Sequence, residues 1–74
     1  MGSVHQRQYQ QFLVRFRLAR KQAGLTQDQV AKALGRQQSF VSKCESGERR
    51  VDAVELAAFA RVYGKPLTFF LRGT

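Results

Sequence analysis

Residues 26–47 read TQDQVAKALGRQQSFVSKCESG, and the fold is decided there. Thr26-Gln27-Asp28-Gln29 fits a capping box, in which the threonine oxygen accepts an N–H one turn in while Gln29 reaches back to the cap. Val30, Ala31 and Leu34 then form the inward stripe of a helix over about 27–34. Ala31 is small where a second helix has to cross close above it. Gly35 has access to the positive φ that reverses a chain within a few residues. A further short helix over about 37–45 turns Val41 and Cys44 inward and leaves Gln38, Ser39, Ser42 and Lys43 facing out.

The same punctuation runs outward in both directions. Upstream, Tyr9, Phe12, Leu13, Phe16, Ala19 and Ala23 recur at three- and four-residue steps, so a helix is predicted over about 8–23, ended by Gly24. Downstream, Asp52-Ala53-Val54-Glu55 is a second capping box. It opens a helix whose Leu56, Phe59, Ala60 and Tyr63 keep one face until Gly64. Pro66 suits the first turn of a short last helix, with Leu67, Phe70 and Leu71 packing back. No segment alternates with period two for long enough to form a strand. The prediction is an all-α bundle of about five short helices, a single domain spanning residues 1–74 with residues 1–7 mobile.

Composition narrows the function. The 74 residues carry 13 Lys+Arg against 5 Asp+Glu, a net charge of +8, and all five acids (Asp28, Glu45, Glu48, Asp52, Glu55) lie mid-chain. Such a cationic domain favours a polyanion, either nucleic acid or an anionic membrane surface, unless the charge serves only solubility. No apolar run approaches a membrane span, and the Gln/Arg-rich start lacks the apolar core of a secretory signal, so a cytoplasmic protein is expected. One cysteine and one histidine build neither a disulfide nor a structural zinc site. A nucleophile–base pair, a metal cluster and a phosphate-cradling loop are all missing from the sequence, so neither an enzyme nor a cofactor is expected.

Two short helices joined by a glycine-hinged turn form a helix-turn-helix, whose second helix enters the DNA major groove. Here the chain resembles the Cro/C1-type (XRE-family) helix-turn-helix domain of lambdoid phage repressors and many small bacterial regulators. The resemblance covers about residues 12–71. It rests on Gly24-Leu25-Thr26-Gln27, Val30-Ala31, Leu34-Gly35, Gln38-Ser39, Val41-Ser42-Lys43 and Glu45-Ser46-Gly47. It implies that Gln38, Ser39, Ser42 and Lys43 read bases in double-stranded DNA; a glutamine amide matches adenine N7 and N6. It also implies that Gln27 contacts a phosphate and braces the second helix. Arg36, Gln37, Ser46, Arg49 and Arg50 are expected on further phosphates. Arg20 and Glu45 are expected to form a shielded structural ion pair.

Four positions depart from the family pattern. Gln37 stands where a Ser/Thr cap is usual, so the start of the second motif helix is expected frayed or displaced. Phe40 replaces a small or polar residue; it either touches a thymine methyl, joining the base readers, or packs on the domain. Cys44 replaces a branched aliphatic and reads as core rather than as a redox sensor. Phe69, beside Phe70 and Leu71, is expected to be exposed or covered by a partner chain. His5 carries no assigned role.

A homodimer is expected, because one such helix makes a small contact and two copies read half-sites about 34 Å apart. The segment 63–71, with Tyr63, Phe69 and Phe70, is the expected interface. Val14 and Leu18 are the second choice. No ligand-binding domain is expected after the last helix. The two function classes in contention are a sequence-specific transcriptional regulator and a protein-interaction module of antitoxin type anchored by Phe40 and Phe69.

Overall fold

A computed structural model describes the backbone of residues 3–73 and the side chains of residues 6–73. In chain order the helices are α1 (Ser3–Gln22), α2 (Gln27–Leu34), α3 (Gln38–Ser46), α4 (Ala53–Tyr63) and α5 (Leu67–Phe70). Among the described residues there is no strand, and no helix is long and apolar enough to cross a membrane.

Helix α1 starts five residues before the apolar stripe predicts. Residues 6–8 are exposed and add nothing to the apolar stripe, but glutamine and arginine are good helix formers and extend a helix nucleated further on. Residues 1 and 2 of the segment expected to be mobile lie outside the described residues, as does the side chain of His5; residues 3–7 are helical in backbone.

Both capping boxes form. Thr26 Oγ1 accepts from the Gln29 N–H at 3.1 Å while Gln29 Oε1 accepts from the Thr26 N–H at 2.9 Å. Asp52 and Glu55 repeat the pattern at 2.7 and 3.1 Å. Gly35 ends α2 at φ +68°, and the next N–H, that of Arg36, returns to the Ala31 carbonyl at 2.9 Å. That closure satisfies the orphan carbonyls of α2 and aims the chain into α3.

The core is aromatic and centred on Phe16 of α1. Its ring meets Phe59 edge-on at 4.7 Å, stacks near Phe12 at 5.3 Å, and lies 6.2 Å from Phe70. Val30 and Ala31 from α2, with Val41 and Cys44 from α3, close the core beneath the motif. Burial pushes the Cys44 thiol pKa up, which disfavours the reactive thiolate. Helix α5 corrects one expectation: only Phe70 packs inward, whereas Leu67 and Leu71 are 47% and 53% exposed. A four-residue helix has a single inward position. Ala23 is likewise exposed, because α1 ends at Gln22.

Candidate nucleic-acid interface

Helix α3 has nine residues, too few to be stable alone, so its orientation depends on what grips it. The grip centres on Glu45, which is 3% exposed. Arg20 of α1 donates from Nε to Glu45 Oε2 at 2.6 Å and from Nη2 to Oε1 at 3.1 Å, and its Nη1 donates to the Leu25 carbonyl at 3.0 Å. This bond to Glu45 pushes the Arg20 pKa further up. One turn earlier on α1, Arg17 Nη1 donates to the Glu45 carbonyl at 2.7 Å. A cation therefore sits on an orphan carbonyl at the negative end of the α3 dipole. Sequence reasoning missed Arg17; its spacing of three from Arg20, which places both on one side of α1, was the available signal.

The network continues to the surface. Gln27, at the start of α2, donates from Nε2 to Glu45 Oε1 at 3.0 Å. Its Oε1 accepts from Gln38 Nε2 at 2.6 Å. Gln38 and Ser39 are exposed in the first turn of α3, Lys43 is exposed one turn on, and Ser42 is half-buried. Gln37 is the N-cap residue but makes no side-chain cap bond, and it too is exposed. Even so, α3 begins regularly at Gln38, and the Phe40 N–H returns to the Gln37 carbonyl at 3.0 Å.

Phe40 does not join this outer face. Its half-buried ring stacks on Phe59 of α4 with a 9° interplanar angle, and the Arg36 guanidinium covers it at 3.7 Å. Of the two alternatives for Phe40, the ring's position agrees with packing on the domain, where its apolar area is removed from water. Arg36 is exposed beside the start of α3.

The loop after α3 is held from inside. Ser46 Oγ donates to the Lys43 carbonyl at 3.1 Å and accepts from the Glu48 N–H at 3.2 Å. These bonds tie the exposed Ser46 hydroxyl to its own loop. Arg49 binds Glu55 through two bonds of 2.8 Å each and reaches the Arg50 carbonyl at 3.0 Å. That geometry makes Arg49 a clasp between the loop and α4, with its side chain still 41% exposed. The two lie six positions apart across a loop, so no local pattern announced the pair. The same bonds hold the Glu55 carboxyl below the usual carboxylate range. Arg50 remains exposed, its guanidinium 4.3 Å above the Tyr9 ring, and Tyr9 Oη accepts from the Val51 N–H at 3.1 Å.

Comparison with known proteins then decides the family. The helix-turn-helix domain family matches residues 11–68. Among solved structures, an XRE-family like protein from Pseudomonas syringae pv. tomato str. DC3000 is similar at 43% identity. The likeness covers 93% of this chain and 84% of that one, with a TM-score of 0.87. The chain belongs to the XRE-type helix-turn-helix family. No curated protein matches it.

In this XRE-type domain two residues expected at a subunit interface are core. Tyr63 and Phe70 are buried within the chain, and burial of the Tyr63 hydroxyl, which has no hydrogen-bond partner among the described residues, pushes its pKa up. Phe69 is half-buried, covered by Arg15 at 4.0 Å and Lys65 at 4.5 Å, and Arg15 Nε also donates to its carbonyl at 2.9 Å. Phe40 and Phe69, the two anchors of the interaction-module reading, therefore both pack on their own chain.

Proposed function

We propose that this XRE-type domain is a sequence-specific double-stranded DNA-binding regulator, non-enzymatic and cytoplasmic, that inserts α3 into the major groove. The observation that carries the reading is the outer face of α3, where Gln38, Ser39 and Lys43 stand exposed and the Gln38 amide is held by Gln27. Gln38 and Ser39 read base edges from the first turn, Ser42 sits at the margin of that face, and Lys43 meets a base or phosphate one turn further on. Gln27, Arg36, Gln37 and Arg50 lie around it as backbone contacts, which fix register without carrying sequence information. Two copies read two half-sites. The apolar surface for pairing is then Leu67 and Leu71, with the edge of Phe69, rather than Tyr63 and Phe70.

Binding to a site selected from a random duplex pool tests the reading. Gln38→Ala weakens the selected site by roughly 5- to 150-fold, the value of one bidentate base contact, while binding to random duplex changes little. Lys43→Ala weakens both and flattens the salt dependence by about one unit of log–log slope. Equal loss at selected and random duplexes for Gln38→Ala would refute base reading.

A further inference from the structure

We infer that Glu45, buried beneath the outer face and remote from any groove, determines which base Gln38 accepts, by setting the direction of two amides in series. The inference rests on the base-reading role given above to Gln38.

The argument is one of hydrogen-bond polarity. A carboxylate ion-paired to Arg20 has no proton to give, so Gln27 must turn its NH2 group, and not its carbonyl, toward Glu45 Oε1 at 3.0 Å. That choice leaves the Gln27 oxygen facing Gln38. The gap there is 2.6 Å, and two oxygens at that distance would repel, so Gln38 must in turn present its NH2 group to Gln27. What Gln38 has left for the groove is its carbonyl oxygen and one N–H. An acceptor beside a donor matches adenine, which offers N7 as acceptor and N6 as donor; guanine offers two acceptors, N7 and O6. An unbraced glutamine is free to rotate its amide and choose. Here the choice is made two residues away.

Replacing the carboxylate by an amide reverses the chain. In Glu45→Gln the shorter Arg20 contact, 2.6 Å at Oε2, keeps the oxygen there; the new NH2 group takes the Oε1 position, giving up the longer 3.1 Å bond from Arg20 Nη2 and facing Gln27. Gln27 then offers its oxygen inward and its NH2 outward. Gln38 accepts from it and points both of its N–H groups at the groove, the pattern guanine satisfies.

Selection from a random-sequence duplex pool with the full chain reads this directly. The base position concerned is the one whose preference disappears in Gln38→Ala. At that position wild type is expected to prefer adenine, and Glu45→Gln to move the adenine-to-guanine ratio toward guanine on the order of tenfold. A folded Glu45→Gln protein that keeps the wild-type ratio overturns the inference. If that variant fails to fold, Gln27→Ala, which leaves the Arg20–Glu45 pair intact, serves instead. It frees the Gln38 amide, so the ratio falls toward one, and an unchanged ratio overturns the relay. Without DNA, wild type should show a scalar coupling across the hydrogen bond from Gln38 Nε2 to the Gln27 side-chain carbonyl, reversed in Glu45→Gln. Absence of that coupling refutes the relay alone. A wild-type pool with no enriched motif refutes base reading itself, and the inference with it.

Discussion

Removing Arg20 is the sharpest probe of how α3 is held. In Arg20→Met the Glu45 side chain, 4% exposed, loses both guanidinium bonds, 2.6 and 3.1 Å, and among the described residues keeps the Gln27 amide as its side-chain donor. Methionine keeps most of the stem volume, so the loss is electrostatic rather than a cavity. Breaking one side of a buried pair costs about 3–5 kcal/mol, because the surviving ion stays desolvated. Stability of about 0.05–0.15 kcal/mol per residue puts the whole domain near 4–11 kcal/mol, so this one substitution removes a large share. At roughly 4–8 °C per kcal/mol, the melting temperature should fall by at least about 12 °C. Replacing both partners, Arg20→Met with Glu45→Leu, removes the stranded charge and should return stability to within about 1 kcal/mol of wild type. Urea unfolding followed by circular dichroism measures all three proteins. Repeating it in about 1 M salt tells a buried pair from a screened one. A loss below about 1 kcal/mol for Arg20→Met, abolished by salt, would mean the pair behaves as a surface contact, and the reasoning would fail.

Three further substitutions test other parts of the fold. Phe40→Ala should destabilise by about 2 kcal/mol, less than a fully buried phenylalanine, yet leave the base preferences in a selected site unchanged; a preference lost at any position would return Phe40 to the groove. Gly47→Ala combines a left-handed φ of +85° with a Cβ placed 2.9 Å from Leu13 Cδ1. It should therefore cost about 1–3 kcal/mol in thermal unfolding, more than Gly35→Ala, where φ is +68° and nothing lies within 4 Å. Glu55 supplies a pH dependence. Its folded carboxyl sits below the ordinary range, so the native state binds fewer protons than the unfolded chain as acid is added. The Arg49–Glu55 contribution is thus complete above the unfolded carboxylate value, about 4.3, and is lost as pH falls through the depressed folded value. Wild type and Glu55→Gln should converge in urea midpoint on acidification; a constant gap down to low pH would show that the ion pair is not the source.

The helices and their ends were legible because their causes are local. Thr26 with Gln29, and Asp52 with Glu55, close within four residues, and the α1 stripe from Phe12 to Ala19 repeats over two turns. Legibility ends where a side chain's direction depends on a distant surface. On α5 there is no second turn to establish a period, so Leu67, Phe70 and Leu71 looked equivalent, although only Phe70 reaches the Phe16 cluster. Phe40 was ambiguous for the same reason: its partner, Phe59, lies nineteen residues away on another helix. Tyr63 and Phe70 looked available to a second subunit only because the depth of the core at that end could not be judged from spacing.

The outer face of α3 was read from its own residues, but what makes it a rigid surface was not. Arg17, Arg20 and Gln27 come from α1 and α2, and all three converge on Glu45, one through the main chain and two through the carboxylate. The main-chain bond fixes where the C-terminal end of α3 lies; the carboxylate bonds fix which way the amides point. These are separable jobs. Arg17→Met should therefore lower stability by about 1.5–3 kcal/mol, the value of a charge-assisted hydrogen bond, and leave the base preference at the Gln38 position unchanged. Unfolding curves and duplex selection on the same variant provide the two readouts. If Arg17→Met altered the adenine preference as strongly as Glu45→Gln, helix placement and amide polarity would be one effect rather than two, and direction-setting by Glu45 would reduce to simple misplacement of α3.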